Sequence, residues 1–134
     1  MSSAQDAARE YRREFIESAK ENRTIWGLWS EASGWSAIDS DQDFDTEVIL
    51  FWSDPEYARK HQQDEWRDHA LIAIPLEEFL ENSLPTMIEE GVLIGPNWDE
   101  DFVGQEIPSA SLAAQLLASS LEEPGEEAEE ELED

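Results

Sequence analysis

Val48-Ile49-Leu50-Phe51-Trp52-Ser53-Asp54-Pro55 decides the fold. Side chains along a strand alternate between faces, so a run that is apolar at every position is expected of a strand covered on both sides. Asp54 then offers a carboxylate to the free N–H groups of a helix start, and Pro55 at the first helical position gives up no needed donor. A central strand leading directly into a helix follows, and this second helix is expected to reach about Trp66.

On the N-terminal side, Ser3 with Asp6 resembles a capping box, and Ala8, Tyr11, Phe15 and Ala19 recur at helical spacing. A first helix from about Ala4 to Asn22 is expected. Thr24 to Ser30 and Trp35 to Ile38, joined through Glu31-Ala32-Ser33-Gly34, read as a hairpin. On the C-terminal side, Leu71 to Ile74 reads as another strand covered on both faces. Leu76, Phe79, Leu80 and Leu84 repeat at helical spacing; Pro85 kinks or restarts that helix, and Met87 and Ile88 extend its apolar face. Gly91 fits a left-handed stop before a strand Val92 to Ile94, which ends in Gly95-Pro96-Asn97. Leu112, Leu116, Leu117 and Leu121 form the apolar stripe of a last helix after Pro108. The order implies an α+β fold: a single mixed β-sheet of about five strands, built from the hairpin plus strand-helix-strand units, with helices packed on it.

The length of 134 residues suits one domain, assigned to residues 1–120. Residues 121–134 carry nine acids and little apolar material, and are expected to be a disordered acidic tail. Across the chain 34 acids face 8 bases, a formal charge of -26, which argues against nucleic acid or an anionic membrane surface as a partner. There is no Cys, hence no disulfide, thiol nucleophile or thiolate metal site. Residues 1–13 carry no apolar core of signal-peptide length, and the run Val48 to Trp52 is too short to cross a bilayer, so a cytoplasmic location is expected.

Asp39, Asp41, Asp43 and Asp45 alternate through one loop, a spacing that turns carboxylates toward a hard cation. A twelve-residue calcium loop begun at Asp39 puts Phe44 at the glycine position and Leu50 where the bidentate Glu belongs. Begun at Asp41, it puts Thr46 and Trp52 there. Neither register works, and the loop is read as a solvated acidic segment. His61 and His69 lack a two-His helical metal motif, and His61 is read as an exposed helical residue. No cofactor is expected. Trp52-Ser53-Asp54 ends the central strand and Gly95-Pro96-Asn97-Trp98 ends the last one. If the two run parallel, both turns reach one sheet edge, where open sheets bind ligands. Trp35, Asp54, Asn97 and Trp98 would then line a shallow aromatic and polar cleft. The ordinary alternative is that these Trp complete a small core with their N–H groups paired.

Trp26-Gly27-Leu28, Gly34-Trp35, Val48 to Asp54, Glu65-Trp66, Pro75-Leu76-Glu77-Glu78-Phe79-Leu80 and Gly91 to Trp98 form an ordered series of Trp-bearing blocks. From Glu10 to Val103 the chain resembles a bacterial domain-of-unknown-function family, numbered 2750. The resemblance implies a small single domain and brings no catalytic residues. The Ser33-Gly34-Trp35 turn before an acidic loop is also similar to segments of bacterial immunity proteins that neutralise toxins. The functional expectation is a non-enzymatic protein- or ligand-binding module, toxin-neutralising in one version, with a basic protein as partner. The alternative is a small hydrolase or metal-assisted enzyme using the acidic loop or the strand-end cleft, with Asp54 the first carboxylate to mutate.

Only Lys20 and Lys60 are lysines, and so one-sided a surface repels itself unless salt screens it, a pattern that suits a halophilic host. The melting temperature should therefore rise between dilute buffer and molar KCl; a flat or falling value would remove the halophilic reading.

Overall fold

The computed structural model describes residues 3–40 and 45–118. In chain order it contains α1 (Ser3–Asn22), β1 (Thr24–Ser30), β2 (Gly34–Trp35), β3 (Ala37–Asp39), β4 (Glu47–Phe51), α2 (Pro55–Arg59) and a 3-10 turn (Asp64–Trp66). There follow β5 (Ala70–Pro75), α3 (Leu76–Glu78), a π-helical turn (Phe79–Ser83), α4 (Leu84–Glu90), β6 (Leu93–Pro96), β7 (Ile107–Pro108) and α5 (Ser109–Leu117). No helix of the described residues is long and apolar enough to cross a membrane.

The apolar run of β4 is buried on both faces. Ile49 and Phe51 point into a core with Phe15 and Ala19 of α1, Phe79, Leu84 and Met87 of the 76–90 helix, and Leu112 and Leu116 of α5. Val48, Leu50 and the following Trp52 point into a second core with Leu28, Ala58, Trp66 and Trp98. Fully burying a side chain of this size contributes about 1.5–3 kcal/mol, so the alternation along one strand fixes which layer each neighbour joins.

The class is α+β as expected, but the described strands fall into two sheets, β2-β1-β5 and β3-β4-β6-β7, instead of one. The division occurs at Ser36. Its N–H donates to the Leu28 carbonyl of β1, while its carbonyl accepts from Leu50 N–H of β4, so the chain changes partner within one residue. Trp26 and Trp52 exchange both backbone hydrogen bonds, 2.7 and 2.8 Å, and tie the sheets together a second time. The hairpin forms only next to its turn, with Trp29 opposite Trp35 and Ser30 opposite Gly34; Ala37 and Ile38, expected in its second strand, pair instead with Ile49 and Val48 of β4 because the chain changes partner at Ser36. β5 pairs antiparallel with β1 at the sheet edge, so its Ala70, Ala73 and Pro75 are exposed, and the strand is not covered on both faces as its composition suggests. β4 and β6 run parallel, from Val48 opposite Leu93 to Phe51 opposite Pro96.

Two helices differ from the sequence reading. α2 begins at Asp54-Pro55, with the Asp54 carboxylate accepting from Glu56 N–H, but it ends at Arg59, not near Trp66. Burial of Ala58, His61 and Trp66 against the second core replaces continuous helix by turns. In the 76–90 helix the π-helical turn ends at Ser83, two residues before Pro85, whose ring and missing N–H an unbroken α-helix would not accommodate without a kink. Met87 is buried there, whereas Ile88 and, on α5, Leu117 are exposed and extend no core face. Gly91 ends the helix at φ 74°, the left-handed stop expected of it, and Val92 N–H returns to the Met87 carbonyl. Leu121 and the segment assigned as tail lie outside the described residues.

Gly95 makes the parallel pair possible. A Cβ there would stand 2.6 Å from Leu50 Cδ2 and 2.6 Å from the Trp98 indole nitrogen. Gly95→Ala should lower unfolding stability by about 1–3 kcal/mol through overpacking, read from urea denaturation midpoints; a change within about 0.5 kcal/mol would show that the second core is looser than described.

Candidate functional site

Because β4 and β6 are parallel, Ser53-Asp54 and Asn97-Trp98 leave the sheet at one edge. Asn97 takes a positive φ of 54° and is buried. Its side-chain oxygen accepts from Ser53 N–H (2.8 Å) and its amide donates to Ser53 Oγ (3.0 Å), which locks the two strand ends together. The Trp98 carbonyl accepts from Trp52 Nε1–H and from His61 Nε2, each at 3.1 Å, so both lone pairs are used. That contact makes Nε2 the protonated nitrogen of a neutral imidazole. The Trp98 indole is enclosed in turn. Its Nε1–H donates to the Gln105 carbonyl (2.9 Å), and a Cβ on Gly104 would stand 1.9 Å from its Cδ1.

His61 corrects the expectation of an exposed helical residue: it is 5% exposed. Its ring lies 4.8 Å from that of Trp52, and Phe102 meets its other surroundings edge-on at 5.5 Å. The sequence signal for this was weak, since His61 sits between Lys60 and Gln62, and only the short α2 turns it inward.

Above this floor lies a cavity of about 210 Å³ between α1, α2 and the 97–100 segment. Tyr11 donates to Asp99 Oδ2 (2.8 Å), Tyr57 donates to Glu14 Oε2 (2.7 Å), and Lys60 Nζ stands 3.7 Å from Glu100. The hydrogen bond to Glu14, then burial and the nearby negative charge, push the Tyr57 phenol up to about 12. The bond to Asp99 raises Tyr11 in the same direction. Asp99 Oδ1 accepts from the N–H groups of Asp101 and Val103 and so shapes the loop that carries it.

The four residues expected to form a cleft separate into three places. Asn97 and Trp98 line this cavity. Asp54, on the neighbouring turn, is engaged as the α2 cap. Trp35 lies apart, 5.2 Å from Phe51 and 5.0 Å from Trp29, beside a groove of about 430 Å³ that also touches Met87. Tyr11, Glu14, Tyr57 and Asp99 were missed. They come from three segments, and only the helical spacing that placed Tyr11 on the apolar face of α1 hinted at any of them. In the acidic loop, Asp39 is exposed in β3 and Asp45 has φ 67°, while Asp41 and Asp43 lie outside the described residues. Among the described residues no three His, Cys, Asp or Glu side chains are grouped to hold a metal ion.

Residues 12–116, more than half of the chain, match the model of a family described as "Protein of unknown function (DUF2750)". No curated protein and no solved structure matches the chain.

Burial holds His61 below its ordinary value of 6.5, against the opposing pull of the Trp98 carbonyl, Glu100 and Asp99. The fold thus favours the neutral ring, and the unfolded chain takes up the proton first. Stability from this group is complete above about 6.5 and is lost as pH falls through the lower folded value. The unfolding free energy of the native chain relative to His61→Gln should therefore shrink from pH 7.5 to 5, read by urea denaturation at fixed salt. A constant difference would contradict the buried neutral imidazole.

Proposed function

The chain belongs to the DUF2750 family, whose description assigns no activity, and we propose that it is a binding module that takes the cationic head of a basic partner's side chain in the Tyr11–Tyr57–Asp99 cavity. One observation carries this reading: Glu14, Asp99 and Glu100 face a small cavity against a single ammonium, Lys60. Its roughly 210 Å³ lies below the 300–1,000 Å³ of typical small-molecule sites and suits one guanidinium or ammonium group with part of its stem. Tyr11 and Tyr57 add ring surface of the kind that attracts cations. Lys60 beside Glu100 supports the assignment, since an ammonium of the chain itself already stands against one of these carboxylates.

The overall charge of -26 serves the same end at longer range, drawing a basic protein toward the surface before it docks. Neutralisation of a basic toxin is one form of this function. The enzymatic alternative gains no support at its first-named carboxylate, because Asp54 is committed to capping α2.

Asp99→Asn keeps an oxygen to accept from Asp101 and Val103 N–H while removing the charge, so the loop should persist. Titration of the isotope-labelled protein with N-acetyl-arginine amide in dilute buffer should shift the amide resonances of Tyr11, Tyr57 and residues 97–100. The variant should bind about tenfold more weakly, a difference of ~1.4 kcal/mol. Shifts located elsewhere, or equal binding by the variant, would overturn the proposal.

A further inference from the structure

Two indoles stand apart from the Tyr11–Tyr57–Asp99 cavity. Trp29 is left in solvent, 39% exposed, and lies directly opposite Trp35 in the hairpin register, with ring centres 5.0 Å apart and planes at 70°. Trp35 is held from several sides: it lies over Gly27, where a Cβ would stand 2.7 Å from its Cζ3, and it meets Phe51 edge-on at 5.2 Å. The fold therefore sets this indole pair before any ligand arrives. Beside it runs a groove of about 430 Å³, within the size range of small-molecule sites, to which Ala37, Ile49 and Met87 add apolar surface. The charged residues lining it are Glu47 and Glu90, and among the described residues neither makes an ion pair. Glu47 also stands opposite the exposed Asp39 in the β3–β4 register, so two like charges share one sheet face, an arrangement that is unfavourable until a cation joins it.

We propose that the Trp29–Trp35 groove binds a quaternary ammonium group, a second site independent of the Tyr11–Tyr57–Asp99 cavity. The lining selects this chemistry. An anion meets the charges of Glu47 and Glu90. A primary ammonium or a guanidinium pressed against indoles and aliphatic chains leaves N–H groups without acceptors, a cost that a fully alkylated nitrogen does not carry. Its charge, spread over methyl groups, is attracted to the negative ring faces of tryptophan, the best of the aromatic side chains for this contact. The carboxylates at the groove then balance the charge without having to accept a hydrogen bond from it. Polar lining is available for the rest of the ligand: the Thr86 hydroxyl donates to the Asn82 carbonyl, which leaves the Asn82 amide and the Ser83 hydroxyl to meet a group such as the hydroxyl of choline. The cavity beneath Tyr11 and Tyr57 differs in kind, since it is about half the volume and is lined by acceptors suited to N–H donors.

The test follows the indole N–H signals of Trp29 and Trp35 in the isotope-labelled full chain during titration with choline chloride, with KCl at equal ionic strength as the reference. Saturable shifts are expected at these two indoles and at the amides of Glu47, Thr86 and Met87, with a Kd in the millimolar range. The uncharged analogue of the same shape, 3,3-dimethylbutanol, should bind at least about tenfold more weakly, and Trp29→Leu should weaken choline by about the same factor. Glu47→Gln/Glu90→Gln, both at exposed positions, should weaken choline several-fold and decides the matter should Trp29→Leu not fold. A parallel titration with N-acetyl-trimethyllysine amide separates the two sources of such a group: tighter binding than choline identifies a methylated protein side chain, weaker binding a free solute, and either supports the site. No saturable shift beyond the KCl reference would overturn the proposal. So would equal binding of the uncharged analogue, full affinity in either variant, or shifts confined to Tyr11, Tyr57 and residues 97–100.

Discussion

The Trp98 carbonyl holds the cavity end of this molecule together. It accepts one N–H from Trp52, which closes the central strand, and one from His61, which follows the short α2. Through Asn97 the same segment is tied to Ser53. Three separate pieces of chain thus meet at two adjacent residues, all buried, where an unpaired polar group would be costly. With its indole enclosed by Gly104 and its N–H given to Gln105, Trp98 belongs to the floor of the cavity, while the tyrosines and carboxylates line it above.

That division between floor and rim explains how an acidic protein can concentrate charge at one place without losing its fold. The rim carboxylates are each held by a named partner: Glu14 by Tyr57, Asp99 by Tyr11 and two backbone N–H groups, Glu100 by Lys60. Hydrogen bonds from neutral tyrosines to Glu14 and Asp99 satisfy these carboxylates without cancelling their charge, whereas Glu100 faces the Lys60 ammonium. The arginines of α1 are the counterpart on another face, a region of balanced charge in a body that is otherwise strongly negative.

The run from Val48 to Trp52 made the central strand and its two cores readable, because a period of two with no polar position admits few other arrangements. Gly91, Asp54-Pro55 and the hairpin were readable for equally local reasons. The split into two sheets was not, since it depends on Ser36 changing partner between Leu28 and Leu50, a choice set by packing across the whole molecule. The same holds for His61, whose neighbours in sequence are polar but whose neighbours in space are Trp52 and Phe102. For the site, parallel β4 and β6 bring Asp54, Asn97 and Trp98 to one edge. Trp35 faces the opposite core, and tyrosines from α1 and α2 complete the cavity, a convergence that spacing within any one segment does not encode.

The most direct measurement is a crystal structure of the protein grown with arginine methyl ester in low salt. The account predicts a guanidinium seated between Glu14, Asp99 and Glu100, with Trp98 still enclosed beneath it. An empty cavity at saturating ester, or a ligand bound only beside Trp29 and Trp35, would contradict it.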